Sequence, residues 1–205
     1  NFEKANPHIR IQIIEGPSAS DLYENLYTSA FILGDSPDDL INMDVVWAAK
    51  FAAAGWIQDL SSHITDEQLK AFLDQDVEAG RYKGKLYRIP LRSDAGMLYY
   101  RKDLLKNAGL QPPETFAELT TISQELQATK AAKWGYLWQG RQYEGLSAMF
   151  VEILEGYGGF WVNPETKEVG LAQPEAIKAV AFLKSTIQTG ISPKGVTTYQ
   201  EEDTR

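Results

Sequence analysis

Ile9, Ile11 and Ile13 alternate with Arg10 and Gln12, a period of two that predicts a strand, ended by Glu15-Gly16-Pro17. The period then changes. Leu22, Leu26, Ala30 and Leu33 recur at helical spacing, with Ser18 or Ser20 as candidate cap and Gly34 as the stop, where positive φ costs glycine little. DSPDD at 35–39 predicts a turn, 40–43 a short apolar strand ending at Asp44, and 47–54 a short helix stopped by Gly55. Thr65 and Gln68 form a capping box, with Ile64 and Leu69 spaced as a staple and Leu69, Phe72 and Leu73 as the buried face. Gly84 marks a hairpin turn leading into 87–90, followed by a strand at 97–100 and a helix at 102–108 closed by Gly109.

The second half repeats this grammar. Thr115 and Glu118 make another capping box ahead of Leu119, Ile122 and Leu126, and 135–138 reads as a strand. Leu146, Met149, Phe150, Ile153 and Leu154 trace the clearest amphipathic helix, and GYGG at 156–159 reads as its stop. Pro174 opens a last helix through Ile177, Val180, Ala181 and Ile187, ended by Gly190. Strands alternating with helices predict an α/β protein with largely parallel sheets. A change of lobe is placed at 98/99, giving 1–98 and 99–205 with a hinge at 97–101. Ligands of open α/β sheets sit beyond the carboxyl ends of strands, which here carry Glu15, Asp44, Asp94 and Trp138.

Composition narrows the chemistry. The 205 residues are 43% hydrophobic and 23% charged, ordinary globular values. A net charge of −8 argues against a nucleic-acid binder, which needs clustered Lys and Arg. With no cysteine, disulfides, thiolate zinc sites and Cys nucleophiles are excluded. Only His8 and His63 exist, far apart, which speaks against a metal centre, and no phosphate-cradling glycine motif or GxSxG elbow occurs. No cofactor is therefore expected. The opening NFEKANPHIRI reads as the end of a helix and the closing QEEDTR as the first turn of another, so both ends are expected to be cuts in a longer protein. The lack of a signal peptide is then uninformative.

What remains suits sugars, whose hydroxyl rims need carboxylates and whose apolar ring faces need aromatic platforms. Such groups recur as Glu15, Asp44 with Trp47, Asp94 with Tyr99, and Trp138 with Tyr143 and Glu144, next to Gly16, Gly96, Gly140 and Gly145. Each has a plainer reading. Asp44 also reads as a helix N-cap, Asp94 as a turn residue before Gly96, and Glu15 as a solvated loop charge. Trp47, Trp56 and Trp134 read as core more readily than as ligand contacts, and Tyr99 and Tyr100 should face opposite ways on a strand.

The segments FEKANPHIRIQ, NMDVVWAAKFAAAGWIQDLS, YKGKLYRIPLRSDAGMLYYRKDLLKNAGLQPPETFAEL and WGYLWQGRQYEGL together resemble the extracellular solute-binding proteins of sugar ABC transporters, near the trehalose/maltose-binding branch. The resemblance implies the type II periplasmic-binding-protein fold, two α/β lobes that close over a sugar and bind it without catalysis for delivery to permease subunits. It implies sugar-hydroxyl contacts at Asp44 in NMDVVW and Asp94 in RSDAG, a further polar contact at Glu15, and an aromatic contact at Tyr143 in QYEGL with Trp138 and Gln139 beside it. An exported protein, periplasmic or extracellular, follows, and peripheral or lipid-anchored membrane attachment is compatible with it. Arg88 departs from the family pattern, standing where glycine is common in Y-G-x-P. Family members are also much longer, so the first strand, the returning part of lobe one and the rest of lobe two are expected outside 1–205.

Two other readings remain open on the residues. A glycoside hydrolase would use paired carboxylates such as Asp94 and Glu144 and release reducing sugar. An adhesion or sensor module would bind a protein partner and show no small-ligand heat.

Overall fold

The computed structural model describes residues 2–17, 19–34, 36 and 38–204. The chain divides into two compact units, Asn1–Asp94 and Ala95–Arg205. The lobe boundary expected at 98/99 lies a few residues beyond this division.

In the first unit, α1 (Phe2–Ala5) precedes α2 (Ser20–Leu33). The N-cap of α2 is Ala19, without a side-chain cap, while the alternative cap Ser18 and the turn residues Asp35 and Pro37 lie outside the described residues. Gly34 ends α2 in the left-handed region, φ 70°, as its position predicts. The buried face of α2 differs from the aliphatic pattern. Leu33 is 80% exposed, with Leu22 and Leu26 also exposed, whereas Tyr23, Tyr27 and Phe31 pack inward. These aromatics sit at i, i+4 and i+8, and their larger apolar area decides which stripe is buried. They meet Trp47, Phe51 and Trp56 in a ring cluster with Phe51 at its centre, 0% exposed. Trp47 ends a 3₁₀ turn (Val45–Trp47) that runs into α3 (Ala48–Ala53).

Below it, α4 (Asp66–Leu69) carries the expected capping box in full, with Thr65 and Gln68 each bonded to the other's backbone. α5 (Asp74–Glu78) follows, then the hairpin of β1 (Arg81–Tyr82) and β2 (Lys85–Leu86). Lys83 and Gly84 both take positive φ, the geometry a two-residue hairpin loop demands. Leu69, Val77 and Leu86 form a second small core under this hairpin.

A polar latch docks the hairpin. Leu60 N–H donates to Leu86 O at 2.7 Å, and Leu86 N–H to Ser61 Oγ at 2.9 Å. Asp59 accepts from Ser61 N–H at 2.9 Å and pairs with Lys85 at 3.0 Å. Bonds from Ser61, the hydroxyl first and then the backbone N–H, together with Lys85, lower the Asp59 pKa to about 2. Its contribution to stability is therefore present above the ordinary carboxylate value of 3.8 and is lost as pH falls through about 2. Hydrogen exchange at the Leu60 and Leu86 amides should accelerate across that window. In Asp59→Asn the acceleration should vanish; an unchanged acid profile in the variant would contradict the latch.

In the second unit, α6 (Lys102–Ala108) closes at Gly109, φ 71°. Next come α7 (Phe116–Ala128), α8 (Glu144–Gly156) and α9 (Pro174–Gln188). Thr115 caps α7 by accepting from Glu118 N–H at 3.1 Å, but Glu118 reaches Glu114 N–H instead of closing the box. α8 and α9 pack through Ile153, Leu154, Ala176, Ala179, Phe182 and Leu183, with Trp138 and Val196 completing the core. Trp138 Nε1 donates to Thr186 Oγ1 at 3.1 Å, and that hydroxyl donates to Leu183 O at 2.8 Å. Thr186→Val keeps the shape but strands the indole N–H, at an expected cost of about 1–3 kcal/mol in chemical denaturation. A loss near zero would contradict this role for the hydroxyl.

The strands expected at 9–13, 40–43, 97–100 and 135–138 form no ladder among the described residues, where the paired strands are β1–β2 and one isolated bridge joins Val162 and Val169. A strand exists only through a partner's hydrogen bonds. Ile9, Ile11, Ile13, Met97 and Leu98 are accordingly exposed, and Tyr99 and Tyr100 are both exposed, so neither is buried in a core. The segment at 135–138 is held differently: Gly135 and Tyr136 N–H both donate to Ile191 O, and Ser192 Oγ donates to Tyr136 O. No helix among the described residues is long and apolar enough to cross a membrane.

Candidate functional site

In the first unit the aromatic cluster positions two carboxylates. Tyr23 Oη accepts from Gly16 N–H at 2.7 Å, so the 15–16 turn, with exposed Glu15, is tied to α2. Gly16 is required here, because a Cβ would strike the Tyr23 ring. Tyr23 stacks on Tyr27, with ring centroids 5.7 Å apart, and Tyr27 meets Trp47 edge-on at 6.5 Å. Asp44 stands at the start of the Trp47 turn and accepts from Val46 N–H at 3.1 Å. The N-cap reading of Asp44 thus describes its observed bond. That bond uses one carboxylate oxygen, Oδ1, and leaves acceptor capacity on a half-buried group.

Asp94, the last residue of this unit, is fully solvated. Arg92 is its ion partner at 3.7 Å, with both side chains at least 80% exposed, a pair that adds little stability. An exposed carboxylate loosely held by a neighbouring arginine keeps its oxygens free to accept ligand hydroxyls.

Two of the expected contact residues are buried in the structure. Trp47 and Trp138 are each 5% exposed, packed into the aromatic cluster and into the α8–α9 core respectively. Each ring is committed to its own unit's interior, and the Trp138 N–H is used by Thr186. Trp56 is core, as expected, whereas Trp134 is exposed.

In the second unit, Gln139, Tyr143 and Glu144 come together at the N-terminus of α8. Tyr143 is the half-buried N-cap residue and its hydroxyl donates to Gln139 Oε1. Glu144 opens the helix, where a negative charge suits the dipole. Burial raises the Tyr143 pKa, and the carboxylates of Glu144, Glu201 and Asp203 push the same way, while a backbone bond from Glu201 opposes them. Tyr99 is 84% exposed. Between α8 and α9 lies an apolar hollow of about 750 Å³ lined by Leu146, Phe150, Trp161, Ile177 and Val180. No predicted contact residue lines it, and it lacks the carboxylates a sugar rim requires.

The sequence pattern passed over Tyr23, which sets the Glu15 turn. Its signal was the aromatic spacing Tyr23–Tyr27–Phe31, visible in the chain but outweighed there by the leucines. Glu152 was also passed over. Its carboxylate lies against Gly96, burial raises its pKa, and its charge helps push that of half-buried Tyr136, itself raised chiefly by burial, up to about 12.

Comparison with known proteins decides the family. The model of the bacterial extracellular solute-binding proteins matches residues 1–205. The chain belongs to this family. Among solved structures, maltose-bound MalE3 of T. maritima superposes with a TM-score of 0.90 at 34% identity, over 98% of this chain and 51% of that one. A probable ABC transporter-binding protein of Deinococcus radiodurans is 34% identical over 200 residues, 95% of this chain and 47% of its own length. A maltotriose-binding protein of Pyrococcus abyssi is 29% identical over 83% of this chain and 35% of its own length. The chain thus spans about half the length of the relatives it matches, or less.

Family membership places the fold with the type II solute-binding proteins, in the α/β class. That class was legible in the alternating pattern even though the expected ladders are absent among the described residues. Solute-binding family members are receptors, and nothing in these matches supports a hydrolase.

Proposed function

We propose that this protein is a carbohydrate-binding receptor of an ABC importer, taking a neutral oligosaccharide or glucoside of the maltose type and handing it to membrane permease subunits. The observation that carries this reading is the likeness to the maltose-bound T. maritima protein along nearly the whole chain. The maltotriose-binding relative supports the same class of ligand. An exported location, periplasmic or extracellular, accords with the family's description.

Within this reading Glu15, Asp44 and Asp94 accept sugar hydroxyls in charge-assisted bonds, and Tyr99 and Tyr143 supply aromatic surface. Glu144 is a further acceptor at the start of α8. The tether of the backbone beside Glu15 to Tyr23 and the cap at Asp44 support the assignment in the first unit, since the chain at Glu15 and the Asp44 carboxylate are both held before any ligand arrives. Binding drives the receptor toward its closed state by favouring it over the open one.

The test is equilibrium dialysis of labelled maltose against the full-length protein, with the sugar recovered and analysed afterwards. The receptor retains intact maltose. Recovery of glucose would point to the hydrolase, and no retention of maltose or of other neutral glucosides would contradict the proposal.

A further inference from the structure

The hydroxyl of Tyr143 is enclosed by groups from three parts of the second unit. It donates its one proton to Oε1 of Gln139, at the end of the 135–139 segment. The backbone N–H of Glu201, in the 3₁₀ turn Glu201–Thr204, donates to the Tyr143 hydroxyl oxygen. Gly145, buried in the first turn of α8, lies directly against the pair. A Cβ there would collide with both Gln139 Oε1 and the Tyr143 hydroxyl, so the absence of a side chain at 145 is what lets the two meet.

A tyrosine hydroxyl has a single proton to give. With that proton held by Gln139, Tyr143 has none to offer a ligand, and one lone pair of the Gln139 amide oxygen is taken. Burial and the surrounding Glu144, Glu201 and Asp203 carboxylates hold the phenol in its neutral form, so the donor persists through the physiological range.

We propose that Gln139 is a positioning residue that clamps the Tyr143 phenol, with Gly145 making room, so that Tyr143 presents its ring face and not its hydroxyl to the ligand. This assignment rests on the receptor reading above and replaces the expected direct contact between Gln139 and sugar. An aromatic face held at a fixed angle recognises the apolar face of a pyranose ring.

Two measurements on the full-length protein test it. In maltose titrations, Gln139→Leu and Tyr143→Phe should each weaken affinity about fivefold to tenfold, the scale of one hydrogen bond. The double variant should be no weaker than either single one, because both remove the same interaction. In NMR of tyrosine-labelled protein without sugar, the Tyr143 hydroxyl proton should be protected from solvent exchange and lose that protection in Gln139→Leu. Losses that add in the double variant would show Gln139 touching the sugar itself and overturn the proposal. A freely exchanging hydroxyl in the unsubstituted protein would overturn it as well. A protein silent to maltose and to every other neutral glucoside would overturn the receptor reading, and the exchange measurement would then decide the clamp alone.

Discussion

Phe51→Ala should lower the stability of the first unit by about 3–5 kcal/mol, the range for deleting a buried phenylalanine and leaving a cavity. Phe51 is fully enclosed, with Trp47 5.9 Å, Trp56 5.7 Å and Phe31 5.4 Å away between ring centroids. The gap cannot close by a small shift, because its walls are flat rings already in contact with one another. Hydrogen exchange at the α2 and α3 amides across a denaturant series reads this unit separately from the second, which holds Trp134, Trp138 and Trp161. The same cluster supports the Glu15 tether and the Asp44 cap, so the variant should weaken sugar binding along with stability. A loss below about 1 kcal/mol would mean that this cluster is not the core of the unit.

Asp44 offers the largest functional effect separable from folding. Its carboxylate caps the turn by accepting from Val46 N–H and, in the receptor reading, accepts sugar hydroxyls. Asparagine caps helices about as well as aspartate. Asp44→Asn should therefore leave the thermal midpoint nearly unchanged while removing the charge that strengthens the ligand bonds. Asp44→Ala removes both, with an expected loss of about 1 kcal/mol of stability from the cap. Losing a charge-assisted bond of about 1.5–3 kcal/mol corresponds to a fall in sugar affinity of roughly tenfold to hundredfold. Asp94 has no capping duty, so Asp94→Ala should show a comparable loss of affinity with no change in stability. If Asp44→Asn bound sugar as well as the unsubstituted protein, Asp44 would be a cap and nothing more.

The fold was legible where its causes are local. Thr115, Pro174, Gly109 and Gly190 mark helix ends through bonds and backbone angles a few residues long: α6 ends, α7 begins, and α9 begins and ends close to where those residues predict. The capping box of α4 and the turn at Gly84 have the same origin. Strands were illegible as ladders, because alternation at Ile9, Ile11 and Ile13 states a preference that only a distant partner realises. The face of α2 went wrong for a related reason. Two stripes compete on that helix, and the choice was made by Trp47, Phe51 and Trp56, which lie well beyond its end.

The candidate site was legible as residue types and less so as surroundings. Nothing in the spacing of WGYLWQG distinguishes an indole aimed at a ligand from one bonded to Thr186 in the core. Nor does QYEGL reveal that the tyrosine hydroxyl is already taken by Gln139. The first depends on α9, remote in sequence, and the second on how the start of α8 folds Tyr143 back over Gln139 beside Gly145.

Calorimetric titration of the full-length protein with maltose, trehalose, maltotriose and sucrose bears most directly on the central claim. The receptor account predicts saturable heat with at least one of these neutral sugars and none with a nucleotide or a simple cation. Silence toward every sugar in a folded, full-length sample would contradict it.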